Sequence, residues 1–168
     1  MSKLIFDASQ AISWAEELED TVIFDKLVEA GFEPILPERV AEEVESDNEV
    51  AEHILSQSET RRCSDEIFDK ISDRHFRLGD GELAVLAIGE ELENNGDDYF
   101  CVLDDGLARD ACEHRELEYT GTIGLVAMLV DEDLIDLDEG NRLIEEMKAG
   151  GTHLPDNHKE LLRESVSN

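Results

Sequence analysis

The stretch YFCVLDDGLARDA, Tyr99 to Ala111, decides how the chain is read. Five mostly apolar residues, Tyr99 to Leu103, stop abruptly at two carboxylates, Asp104 and Asp105, and a helical pattern then begins. An apolar run bounded in this way predicts a buried strand that delivers acids at its carboxyl end. The chain holds 44 Asp plus Glu against 14 Lys plus Arg, a formal net charge of -30. Two further like charges where a buried strand stops therefore ask for a reason.

The same strand-then-helix alternation extends outward in both directions. Lys3 to Phe6 is an apolar run with Asp7 at its end, and ASQAISWAEELE behind it is helical, with Ser9 able to cap. DTVIFDKLVEAG is a second helix, capped by Asp20 or Thr21 and stopped by Gly31. Phe32 to Leu36 is a second strand, and Pro37 opens the helix PERVAEEVES. Asp47 to Gln57 and Asp65 to Ser72 are helical patterns separated by the polar SETRRCS. GELAVLAIGEELENNG is a buried helix closed by its glycine. After the opening stretch come a helix over Asp105 to His114, a short strand over Leu117 to Thr120 and a helix from Thr122. LDEGNRLIEEMKAGG, with its Gly-Gly stop, and a last helix over Pro155 to Ser165 complete the chain. Such alternation predicts an α/β protein with a mainly parallel sheet. Ligand sites in such sheets lie beyond the carboxyl ends of the strands.

The 168 residues suit one domain over 1–168, with a core of about 3–134 and C-terminal helices over 136–165. A chain of this length buries roughly 70% of its unfolded surface. The acid is spread along periodic segments, which predicts a solvated acidic surface of the kind found in salt-adapted (halophilic) proteins rather than disorder. The gatherings of basic groups are confined to RRC at Arg61 and DRHFR at Asp73. Neither makes the patch usual for a nucleic-acid binder. At molar salt, however, the Debye length is about 3 Å and long-range repulsion is nearly silent. Cys63, Cys101 and Cys112 form no CxxC pair, and Cys101 and Cys112 fall in apolar patterns that make them core residues. Trp14 reads as core as well. Neither a signal peptide nor an apolar run of ~18 residues is present, so a reduced cytoplasmic protein without a membrane partner is expected.

Acids stand at or after the ends of the first three expected strands and in one helix start: Asp7, Glu42 and Glu43 on the helix after Pro37, the pair Asp104 and Asp105, and Asp80 and Glu82 in the helix that opens at Gly79. Val40 and Val44 put the apolar face beside Glu43 more than Glu42. With acids this common, each one alone is a weak signal. Asp7 can cap a helix, Glu82 is favourable in a first turn, and one of the Asp pair can cap the helix after it. Together they point further, because converging carboxylates repel and a divalent cation removes that cost. All-oxygen ligands suit Mg²⁺ or Mn²⁺. Such a site positions a phosphodiester, activates water and stabilises the leaving oxygen. The five histidines are scattered without zinc spacing, and no GxxxxGK[ST], GxSxG or dinucleotide glycine pattern occurs. A phosphatase would want a second Asp two residues after Asp7, where Ser9 stands.

IFDASQAI resembles the opening of PIN domains, LPERVAEEV their Pro-x-x-Val-x-x-Glu motif, and GDGELAVLAIG their central Gly-Glu helix start. VLDDGLARDACEHRELEYTGTIGLV is similar to the last motif of a toxin-like, uncharacterised bacterial and archaeal branch of that family. The resemblance runs from Lys3 to about Leu134. It implies a three-layer α/β/α PIN-like fold and Mg²⁺- or Mn²⁺-dependent endoribonuclease activity. It implies an RNA substrate, an antitoxin protein as partner in toxin–antitoxin fashion, and a homodimer. It further implies a catalytic metal cluster of Asp7, Glu43, Glu82 and Asp105, with Asp104 as an additional ligand. Ser9, Arg109 and Thr122 would contact substrate; Thr122 equally fits a helix cap, and Arg109 better fits an ion pair. Gln10, Gly106 and Leu107 depart from the family pattern, Gly106 standing where a basic residue is common. That loss motivates the alternative of a catalytically weak or inactive PIN-fold interaction module that binds protein or RNA.

Overall fold

The computed structural model describes residues 2–17, 21–42, 49–151 and 154–166. Five strands form one sheet: β1 Lys3–Phe6, β2 Glu33–Pro37, β3 Glu59–Arg61, β4 Tyr99–Val102 and β5 Tyr119–Thr120. Their order is β3-β2-β1-β4-β5, and every neighbouring pair is parallel.

The strand sequences explain why both faces are covered. Leu4 and Phe6 pack into one core layer and Ile5 into the other; Leu36 and Ile35 divide in the same way, as do Val102 and its neighbours Cys101 and Leu103. With apolar residues on both sides of the pleat, each strand needs a helical layer above and below it. The first layer is built by α1 Ala8–Glu17, α2 Val22–Glu29, α4 Glu49–Gln57, α8 Thr122–Asp131, α9 Leu137–Gly150 and α10 His158–Ser165. The second is built by α5 Asp65–Arg74, α6 Asp80–Asn95 and α7 Gly106–His114. The result is a three-layer α/β/α arrangement. Phe6 anchors the first layer, edge-on to Trp14 at 5.9 Å and against Phe24 at 5.7 Å. In the second layer, Gly89 lets α6 lie directly on β4, since a Cβ there would come within 2.7 Å of Cys101 Sγ. All three cysteines are buried and free. Gly96 and Gly151 end α6 and α9 in the left-handed conformation, φ 77° and 117°, which only glycine adopts readily.

Several expected boundaries move. The sheet is wholly rather than mainly parallel. The polar SETRRCS, read as the separation between two helices, supplies β3; Glu59 and Thr60 are exposed and Arg61 half-buried at the sheet edge, and they pair with β2 through the backbone, so no apolar alternation announces them. Pro37 closes β2 and stands at the cap of α3, which is described over Glu38–Ala41; the rest of the expected helix, from Glu43, lies outside the described residues. The last helix starts at His158, not Pro155, and His158 is buried. Asp20 and Glu43 to Asn48 lie outside the described residues. Among the described residues, no helix is long and apolar enough to cross a membrane.

The topology also fixes where a site can form. From β1 the chain proceeds to β2 and β3 on one side, then crosses to β4 and β5 on the other. The crossover point lies between β1 and β4, and a crevice opens there beyond the carboxyl ends of the strands.

Candidate functional site

Asp7 follows β1 directly. Its carbonyl accepts from the amides of Gln10 and Ala11 and so opens α1. Its carboxylate lies against the first turn of α6, where a Cβ on Gly81 would sit 2.9 Å from Oδ1. Glycine at that position lets a strand-end acid approach the positive end of the α6 dipole. The next residue, Glu82, is the second acid of this edge. Burial pushes its carboxyl above the usual glutamate range, and the negative charges of Asp105 and Asp7 push it in the same direction.

The two carboxylates that end β4 have different surroundings. Asp105 caps α7, its Oδ2 accepting from the Ala108 amide at 3.1 Å. Asp104 accepts from three donors. The amide and hydroxyl of Thr122 reach it at 2.9 and 2.6 Å, and Gln10 Nε2 at 2.6 Å. One residue thereby ties the end of β4 to the first turn of α1 and the first turn of α8. Arg109 lies beside it, Nη2 at 3.9 Å from Asp104 Oδ1, and its Nε donates to the Leu103 carbonyl at 2.8 Å.

Asp7, Gln10, Glu82, Leu103, Asp104 and Asp105 line one recess of about 200 Å³ at the crossover. The fold thus gathers Asp7, Glu82, Asp104 and Asp105 from distant parts of the chain. Glu43 lies outside the described residues; its neighbour Glu42 is exposed at the end of α3 and lines a different recess. Ser9 stands in the first turn of α1, and its side chain lies outside the described part. Thr122 is buried, 1% exposed, and committed to Asp104. Among the described residues, no group of three or more His, Cys, Asp or Glu stands at spacing that could hold a metal ion. Gln10, noticed in the sequence just as a departure from a pattern, turns out to be a partner of Asp104. Its place one helical turn after Asp7 was the available signal.

The class the structure defines is a three-layer α/β/α protein with a parallel sheet and acids converging at its crossover edge. A family model described as a PIN domain matches residues 4–167, and the chain belongs to that family. No curated protein and no solved structure matches the chain. PIN domains are generally nucleases that act on RNA and use divalent metals.

Proposed function

We propose that this protein is a ribonuclease that hydrolyses RNA phosphodiesters with Mg²⁺ or Mn²⁺ bound at the crossover recess. The observation that carries this reading is the convergence of four carboxylates on one recess whose lining, among the described residues, contains no Lys or Arg. The donors are all oxygen, and Glu82 carries the electrostatic cost of its acidic neighbours. Both features fit a hard divalent cation in charge and donor type. Asp7, Glu82 and Asp105 would hold it, with Glu43 contributing from beyond the described residues; bound there, the ion would neutralise the acids and polarise the scissile phosphate.

The other residues position these acids. Asp104, saturated by Thr122 and Gln10, holds the β4 end in register and fixes the backbone that presents Asp105. Arg109 braces the same turn through the Leu103 carbonyl. By this reading Thr122 acts on Asp104 rather than on substrate. A toxin-like role with a protein antitoxin, and a homodimer, are the further parts of the proposal and rest on the family resemblance.

The test is RNA cleavage by purified protein in high potassium salt with Mn²⁺. Activity should vanish with chelator and in Asp7→Asn. Metal-independent cleavage, or full activity in Asp7→Asn, would overturn the reading. A second reading, a non-catalytic RNA- or protein-binding module, draws on the absence of three acids at ligating spacing among the described residues. Calorimetry that detects no divalent binding at millimolar concentration would favour it.

A further inference from the structure

A second recess of about 340 Å³ adjoins the acidic one, and Asp104 lines both. Its floor is the β5–α8 junction with Arg109, Tyr119 and Ile123, and its outer wall comes from the C-terminal segment through Leu154 and Leu161. The Arg109 guanidinium carbon lies 5.6 Å from the centre of the Tyr119 ring. Gly121 and Gly124 keep this junction tight. A Cβ on Gly121 would run into the Arg109 guanidinium, and one on Gly124 into the Thr120 hydroxyl.

Charge separates this recess from three others. The acidic recess is lined by four carboxylates. The one at the amino edge of β4 is lined by Glu93, Asp97, Asp98 and Glu118. The one beside β2 and β3 has three carboxylates against two arginines. Here Arg109 balances Asp104, and the remaining lining is apolar, aromatic or neutral. On a chain of net charge -30, this is the one of the four recesses whose lining carries no excess of acid. An apolar wall beside an aromatic ring and an arginine is also the surface on which unpaired bases stack. The volume lies at the small end of ligand sites, about 300–1,000 Å³, and suits one nucleoside rather than several.

We propose that this recess is an RNA subsite. It holds the base and ribose of the nucleotide next to the scissile phosphate, with Arg109 beside the connecting backbone and Leu161 of α10 against the base. The proposal rests on the nuclease reading of the acidic recess and adds the place where substrate is held. It also gives α10 a role beyond packing. His158 and Leu162 bury its inner face, while Leu161 and Ser165, four residues apart on one face, border the recess.

The experiment is fluorescence anisotropy of a labelled single-stranded RNA oligonucleotide with the full chain, in chelator and at fixed potassium chloride. Leu161→Glu and Ser165→Glu are compared with wild type. Leu161 belongs to neither core layer and Ser165 is exposed, so melting temperatures should stay unchanged; if Leu161→Glu fails to fold, Ser165→Glu decides. Each variant should weaken RNA binding about tenfold, and with Mn²⁺ should raise KM while leaving kcat unchanged. Wild-type affinity in the folded variants, with normal cleavage, overturns the subsite and leaves the nuclease reading standing. RNA that binds wild type, binds the variants weakly and is never cut overturns the nuclease reading and leaves the subsite. Wild-type protein that binds no RNA overturns the subsite.

Discussion

At the carboxyl ends of β1 and β4, Asp7, Glu82, Asp104 and Asp105 line one recess without a basic residue among the described ones. At the carboxyl ends of β2 and β3, Glu38, Glu42 and Asp65 share theirs with Arg39 and Arg62. In the second recess charge is settled within the chain: Arg39 reaches Asp65 at 3.5 Å while lying 3.9 Å over the Phe68 ring, and Arg62 reaches the same carboxylate at 3.7 Å. In the first, Asp104 is stabilised by hydrogen bonds, yet Glu82 is left facing two like charges. A paired cluster on an acidic protein explains itself as solvated surface. A cluster of acids that the fold brings together from β1, α6 and β4 does not, and under the proposed function a cation from outside would remove its cost.

The largest expected effect separates the two recesses by activity. Asp7→Asn should lower Mn²⁺-dependent RNA cleavage about 100-fold or more, whereas Asp65→Asn should leave it within about twofold. Equal losses would break the contrast. Next comes stabilisation by the ion. Mn²⁺ at 100 times its Kd should raise stability by about 2.7 kcal/mol, visible as a higher Tm in wild type and Asp65→Asn and absent in Asp7→Asn.

Asp104 and Asp105 should then differ from each other in chemical unfolding with chelator present. Asp104→Ala strands the buried Thr122 and should cost about 1–3 kcal/mol, while Asp105→Ala removes a helix cap and should cost about 1 kcal/mol. A larger loss at Asp105 would reverse the assignment of Asp104 as the positioning residue.

Glu82 gives a pH dependence. Its folded carboxyl binds a proton more tightly than the unfolded one, so the stability present at acid pH falls as pH rises from the ordinary glutamate range through the raised folded pKa. Glu82→Gln in chelator should therefore melt higher than wild type at neutral pH and lose that advantage in acid. An advantage that is constant with pH would count against burial and like-charge repulsion of the carboxylate as its cause. The smallest effect belongs to the paired recess, where Arg62→Ala should shift stability by less than about 0.5 kcal/mol.

Much of the fold could be read before the structure. LIF ending in Asp7 and YFCVL ending in the Asp pair were recognisable as strands that deliver acids, because buried parallel strands are continuous apolar runs. LAVLAIG marked α6 in the same way. β3 was not readable, since an edge strand held by backbone pairing needs no apolar signature. The division of labour between Asp104 and Asp105 was not readable either. The sequence shows two identical carboxylates side by side; the amide and hydroxyl that claim Asp104 come from Thr122, eighteen residues on, across β5. The roles of Gln10 and Leu161 were not readable for the same reason, since they depend on neighbours far away in the chain.

Periodicity, strand-end acids and glycine stops are local properties, set by the pleat, the helical repeat and backbone sterics. The sequence by itself therefore determined the α/β class, the helical positions and the short set of acids worth watching. Tertiary structure alone decided which acids share a recess, which of them is spent on holding the fold, and that the recess beside them is neutral and apolar. Those outcomes depend on strand order and on side chains meeting across it. Electrostatic and hydrogen-bonding energies act over a few ångströms of space and are indifferent to distance along the chain.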